Sequence, residues 1–244
     1  MIAVRNLHKS FDEQEVLRGI DLDIQDNETI VILGPSGQGK TVLIKTLSRL
    51  LEPDSGSIEY DGLNVLRMRR DDFDRFQRSI AFVFQSSALL DFLSVKENLT
   101  LYPQMHTRQT QREIDDLIAR VISLVGLDTT VLDKLPEELS GGMKKRVAIA
   151  RAIIKRPKYI FYDEPTTGLD KGNAEKISEL ITELKDRIAA TSIVVTHDIK
   201  LMRDISDRVA LLKQGRIIFV GRKEEISVEA LEALYETGNG NGLR

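Results

Sequence analysis

Apolar residues along this chain recur with two different periods, and each change of period marks a change of element. Ile20, Leu22 and Ile24 alternate with Asp21 and Asp23, the two-residue repeat of a half-exposed strand. Thr29-Ile30-Val31-Ile32-Leu33 and Ile80-Ala81-Phe82-Val83-Phe84 are short unbroken apolar runs, as expected of strands covered on both faces. Ser57-Ile58-Glu59-Tyr60 predicts a further strand closed by the turn pair Asp61-Gly62, and 52–56 reads as loop by composition. From 41 to 51 the apolar positions are 43, 44, 47, 50 and 51, a helical spacing.

In the middle of the chain the helical period takes over. Ile114, Leu117, Ile118, Val121, Ile122 and Val125 recur in steps of three and four, with Arg112, Asp115, Asp116 and Arg120 turned outward and Gly126 as a stop. A second helix is predicted from about Ser140 to Lys155. Strand character returns at 159–162, 192–196 and 209–212, with a helix from Ala174 to Ile188 between the first two. Strand alternating with helix implies a parallel sheet sandwiched by helices. Gln214-Gly215 predicts a hairpin into 216–220, and a short helix then leads to Gly238-Asn239-Gly240-Asn241-Gly242, expected to fray.

Composition narrows the function classes. The 244 residues are 41% hydrophobic and 30% charged, and 35 Lys and Arg nearly cancel 38 Asp and Glu. A formal charge of −3 argues against a generally basic nucleic-acid binder. With no Cys and three His, at 8, 106 and 197, thiolate zinc sites are excluded and a His-cluster metal site is not expected. The first ten residues lack a signal-peptide core, and no stretch approaches the roughly 18 apolar residues that cross a bilayer. Direct insertion into a membrane is not expected.

Candidate chemistry begins directly after the run at 29–33. Gly34-Pro35-Ser36-Gly37-Gln38-Gly39-Lys40-Thr41 fits the phosphate-binding loop pattern. Glycines let successive N–H groups point at one anion, and a helix start behind them adds its positive end. Lys40 would reach the terminal phosphates and the Thr41 hydroxyl would ligate Mg²⁺. Asp163 and Glu164 follow four apolar residues, so both carboxylates end a buried strand, where open α/β sheets bind ligands. Asp163 suits a Mg²⁺ ligand acting through water, and Glu164 a general base for an attacking water. Ser140, Gly141 and Gly142 open the second helix, either as a further anion-binding device or, read in isolation, as a common helix entry. The basic residues after them, Lys144, Lys145, Arg146 and Arg151, read in isolation as a solvated face.

In combination these motifs resemble the nucleotide-binding subunit of ABC transporters. The phosphate loop, Gln85 after a strand, LSGGM from Leu139, DEPTTGLD from Asp163 and Thr196-His197-Asp198 occur in that family's order over residues 1 to about 225. The resemblance implies an α/β fold: a RecA-like P-loop NTPase core at about 1–85 and 157–225, with an N-terminal antiparallel β region. An α-helical subdomain would be inserted at about 86–156, and a tail would follow at about 226–244. It further implies that Phe11 stacks on adenine beside Val16, that Val42 follows Thr41 at the nucleotide, and that Gln85 senses Mg²⁺ and the attacking water. His197 would contact the γ-phosphate. Ser140, Gly141, Gly142 and Asp170 would act across a homodimer that sandwiches two ATP. A membrane permease would dock at about Gln85–Tyr102, holding the chain on the cytoplasmic face of the inner membrane.

The stretch from Phe84 to Asn98, Met143 and the basic run after it are similar to ATPases that serve MCE-domain lipid transporters, the Mla/Mce group. That implies a phospholipid or other hydrophobic cargo and an MCE-domain partner. Ser87, Leu90 and Lys171 depart from that group's usual residues. The alternatives are the ATPase of a polar-solute importer, for amino acids or phosphate, and an ABC ATPase outside transport. A nucleotide kinase or GTPase fits less well, since neither carries an LSGG helix and no Asn-Lys-x-Asp base-reading motif is present.

Overall fold

Stretches with two-residue alternation or unbroken apolar character fold as strands, and those with three-and-four spacing as helices. The computed structural model describes residues 1–227 and Leu231. Its first elements are β1 (Ile2–Phe11), β2 (Gln14–Ile24), β3 (Thr29–Leu33), α1 (Lys40–Leu47), β4 (Ser55–Tyr60), β5 (Leu63–Asn64), α2 (Arg70–Ser79) and β6 (Ile80–Val83). Then come α3 (Val95–His106), α4 (Gln111–Leu124), α5 (Gly141–Ile153), β7 (Tyr159–Asp163) and α6 (Lys171–Ile188). The last are β8 (Thr191–Thr196), α7 (Ile199–Ile205), β9 (Arg208–Lys213) and β10 (Arg216–Arg222). Leu231 apart, the short C-terminal helix and glycine-rich tail lie outside the described residues.

The chain divides into two compact units, Met1–Phe73 with the chain from Thr191 onward, and Asp74–Ala190. In the first, β2-β1-β4-β5 form an antiparallel sheet, with Val4 opposite both Leu22 and Ile58. The alternation at 20–24 puts Ile20, Leu22 and Ile24 in the core beside Ile2, Val4 and Ile58. Tyr60, also buried, donates its hydroxyl to the Leu47 carbonyl at 2.9 Å, anchoring this sheet to the end of α1. A second sheet runs β10-β9-β3-β8, with β3 parallel to both β8 and β9. Every residue of β3 and of β8 is buried, which is why neither run contains a charged residue. Gln214 (φ 49°) and Gly215 (φ 73°) make the hairpin turn that returns β10 antiparallel to β9.

In the second unit β6 lies parallel to β7, with Val83 opposite Tyr162. Helix α5 packs against β6, α3, α4 and α6. Helix α4 buries Ile114, Leu117, Ile118, Val121 and Ile122, the stripe its spacing predicts. Its start is a capping box, Thr110 with Glu113, and α3 begins in the same way with Ser94 and Glu97.

Three expectations are corrected. The stripe from 41 to 51 ends at Leu47, because Arg49 turns to φ 57° and leaves Leu50 55% exposed. The run Ile80 to Phe84 is not covered on both faces. Ala81 and Val83 are buried while Ile80, Phe82 and Phe84 are half-buried. The basic face of α5 is not solvated as a whole: Lys145 is 2% exposed.

Candidate nucleotide site

Within the first unit, parallel pairing sets Leu33 beside Thr196. The phosphate loop leaves β3 at Gly34 and His197 leaves β8 immediately after Thr196, so both start from the same sheet end, with His197 exposed. Gly37 and Gly39 take φ of 80° and 95° and curl the loop. Gly39 is also the N-cap of α1 and, having no side chain, leaves the first N–H groups of that helix without a side-chain cap. Lys40 is buried and folds over its own loop, its Nζ donating to the Gly34 carbonyl at 2.8 Å and the Pro35 carbonyl at 3.1 Å. Positive charge and backbone N–H groups thus converge on one concavity, the arrangement that binds a polyphosphate.

Around the loop the same unit supplies a wall. Gln38 Oε1 accepts from the Gln214 backbone N–H, tying the loop to the β9–β10 turn. A cleft of about 310 Å³ opens there, lined by Val16, Arg18, Gly37, Gln38, Gln214 and Gly215 among others. Phe11 does not line it. It sits at the end of β1 opposite Gln14, 43% exposed, with Lys9 Nζ 5.4 Å from its ring centroid.

Within the second unit, the β6–β7 register brings Gln85 and the Asp163-Glu164 pair to one sheet end. Asp163 and Glu164 are buried and Gln85 is exposed. Glu164 takes φ 47°, unusual for a residue with a side chain, and Thr167 Oγ1 donates to its Oε2 at 3.2 Å. Strain and a buried carboxylate in one residue suit a group held for chemistry.

The signature segment belongs to this unit too. Ser140 is exposed and caps α5 by accepting from the Met143 N–H at 3.3 Å. Asp170 caps α6 by accepting from the Asn173 N–H at 3.0 Å, and bonding to Asn173 holds its carboxyl below the usual range. A side chain at Gly142 would come within 2.8 Å of Asn173 Oδ1, so the starts of α5 and α6 touch.

Two contributors escape a motif reading. Asn98, buried, accepts from the Leu90 N–H and donates to the carbonyls of Leu90, Leu93 and Ser94, fixing the loop before α3. Lys145 donates to the Gln85 carbonyl at 2.6 Å and the Phe84 carbonyl at 3.2 Å. Burial pushes its ammonium down to about 8, against the pull of the Asp163 charge. The signal for Lys145 is present in the sequence: it shares a helical stripe with Ala148, Ile149, Ala152 and Ile153, all buried.

No cluster of three His, Asp or Glu among the described residues holds a metal alone. Taken separately, the Thr41 hydroxyl in the first unit and the Asp163 carboxylate in the second are each hard oxygen donors of the kind Mg²⁺ takes.

A lysine-bearing glycine loop at the end of a parallel strand, with an uncapped helix behind it, defines a P-loop nucleotide-binding protein of RecA-like α/β fold. Residues 17–167 match the ABC transporter family, and the chain belongs to that family. It is an ATP-binding subunit and an ATP hydrolase. Over 218 residues it is 39% identical to the lipoprotein-releasing system ATP-binding protein LolD of Bacteroides thetaiotaomicron, covering 89% of this chain and 99% of that one. It is 34% identical over 242 residues to the "Probable ribonucleotide transport ATP-binding protein mkl" of Mycobacterium leprae, covering 99% and 70%. The solved ATP-binding cassette MJ0796, a dimer in a post-hydrolysis state with ADP and Pi, superposes with a TM-score of 0.83 at 30% identity, over 91% of this chain and 98% of that one.

Proposed function

We propose that two copies of this chain close around two ATP molecules and thereby drive a membrane permease. The carrying observation is the exposed start of α5. Ser140 and Gly141 present a helix N-terminus to solvent, braced from behind by the 169–173 segment. A second anion-binding end on a chain with a single phosphate loop suits the nucleotide of a partner copy. Dimeric structural relatives support that reading. ATP then favours the closed pair through its higher affinity for that state, the condition for a ligand to drive a conformational equilibrium. A swing from 1:99 to 99:1 takes about 5.5 kcal/mol of differential binding, within reach of two shared nucleotides.

In this scheme Lys40 and the N–H groups of 34–42 hold the phosphates, Val16 lies along the nucleotide, and Phe11 offers its ring to adenine. Glu164 orients and deprotonates the attacking water, and His197 contacts the γ-phosphate. Ser140, Gly141, Gly142 and Asp170 face the partner. Thr41, Gln85 and, through water, Asp163 would hold Mg²⁺, and the chemistry that ion would supply is neutralisation of phosphate charge. The loop and helix from Gln85 to Tyr102 receive the permease; Leu90, Phe92 and Leu101 are exposed apolar side chains along it. No helix of the described residues is long and apolar enough to cross a membrane. In this scheme attachment to the inner membrane runs through that permease.

For cargo we favour a phospholipid or other hydrophobic molecule, with an MCE-domain protein in the assembly. Similarity to a protein named for lipoprotein release supports this, and similarity to one named for ribonucleotide transport supports the polar-solute alternative. The test of the catalytic scheme is Glu164→Gln. ATP binding should persist, turnover should fall on the order of 10²–10⁴-fold, and an ATP-dependent dimer should accumulate in light scattering. Unchanged turnover removes Glu164 from the role of base.

A further inference from the structure

The basic run of α5 has a structural use beyond the signature motif that precedes it. Lys145 and Arg151 both point from α5 onto the chain that leaves β6. Lys145 Nζ serves two successive carbonyls, those of Phe84 and Gln85, and Arg151 Nη2 donates to the Ser87 carbonyl at 3.2 Å. Two cations on one helix therefore end on a single four-residue stretch. Ser87 and Ala88, at its end, take φ of 66° and 47°, a left-handed pair that L side chains disfavour and that needs outside support. The turn's own bond, from the Ser87 N–H to the Phe84 carbonyl, is 3.0 Å.

The choice of an ammonium matters. An ammonium carries three donors, enough to serve two neighbouring carbonyls, and its charge strengthens both bonds. An ion this deeply buried is costly unless bonded and near opposite charge, and Lys145 has both, the two carbonyls and the Asp163 carboxylate. The brace grips the Gln85 backbone and leaves its side chain exposed.

We propose that Lys145 is a positioning residue that clamps the Gln85 backbone to α5, with Arg151 as a second strut. The start of that helix at Ser140 and the Gln85 loop then move as one body. Closure of a partner copy on Ser140 is thereby felt at Gln85, the residue that reads Mg²⁺ and borders the permease dock. The clamp stands on geometry alone; its catalytic consequence rests on the role proposed for Gln85.

The test uses the full chain with Lys145→Met, Lys145→Arg and, in parallel, Gln85→Ala. Lys145→Met should speed amide hydrogen exchange at 85–90 at least tenfold and leave α4 and β7 at wild-type rates. It should also raise the Mg²⁺ concentration for half-maximal ATPase at least threefold while KM for ATP moves less than twofold. Lys145→Arg, which keeps charged donors, should recover at least half of the lost protection. Unchanged exchange at 85–90, or an even rise across the second unit, overturns the clamp. A loosened loop with unaltered Mg²⁺ dependence overturns the catalytic link. Gln85→Ala separates the readings: if it too leaves Mg²⁺ dependence unaltered, the role of Gln85 fails, and exchange alone decides the clamp. Should Lys145→Met not fold, Lys145→Ala, which also removes every donor at 145, carries the same measurements.

Discussion

Gly34 is the first residue past β3, and its Cα faces the backbone of β9. A Cβ built there lies 2.3 Å from the Leu212 carbonyl oxygen. Carbon and oxygen ordinarily approach no closer than roughly 3.3 Å, so Gly34→Ala must open the seam by roughly 1 Å. The obstructing atom is backbone, in a strand paired with β3 from Ile30↔Arg208 to Leu33↔Leu211, so no side chain can swing aside. Forcing a methyl into packed space costs about 1–3 kcal/mol. At about 2–4 °C per kcal/mol for a chain of this size, Tm should fall by roughly 2–12 °C. The same shift displaces the Gly34 carbonyl, which accepts from Lys40 Nζ at 2.8 Å. Losing one charge-assisted bond to phosphate is worth about 1.5–3 kcal/mol, or roughly ten- to a hundredfold in ATP affinity. Gly62→Ala is the control. Gly62 has φ 79°, nothing within 4 Å of a built Cβ, and a place in the β4–β5 turn. It should lose about 1–2 kcal/mol to left-handed backbone strain and keep wild-type ATP affinity. Differential scanning fluorimetry and titration calorimetry with ATP measure both. Gly34→Ala binding ATP as tightly as wild type, or Gly62→Ala weakening it equally, refutes the reasoning.

Two further expectations concern the partner copy and the membrane. Ser140→Ala should lose the helix cap, about 1 kcal/mol of stability, whereas Ser140→Arg should bind ATP yet form no ATP-dependent dimer in the Glu164→Gln background. Full ATPase activity in Ser140→Arg would reduce Ser140 to a cap. Affinity capture from detergent-solubilised membranes should recover a multi-span permease together with an MCE-domain protein; recovery with a binding-protein system for amino acids instead would exclude the hydrophobic cargo.

What is legible in this sequence is what short-range physics decides. The strands at 29–33, 159–163 and 191–196 announce themselves because burial on both faces leaves little room for charge along them. The phosphate loop is equally plain, since its glycines, lysine and helix start act within eight residues. Helix α2 is not, because RDDFDRFQRS buries only Phe76 and so shows no apolar stripe. The overrun at α1 has the opposite cause: Leu50 and Leu51 continue the spacing after Arg49 has already turned the chain. Lys145 is the instructive case. Taken with its neighbours Lys144 and Arg146 it reads as surface, because residue type is being weighed and position is not. By position it stands three, four, seven and eight residues before Ala148, Ile149, Ala152 and Ile153, on the stripe that α5 buries. A cation on such a stripe must find acceptors that the helix itself does not supply. Those acceptors are carbonyls about 60 residues earlier in the chain, at the end of a different strand. Periodicity can therefore say that Lys145 is buried; only the fold can say that it is buried against Gln85.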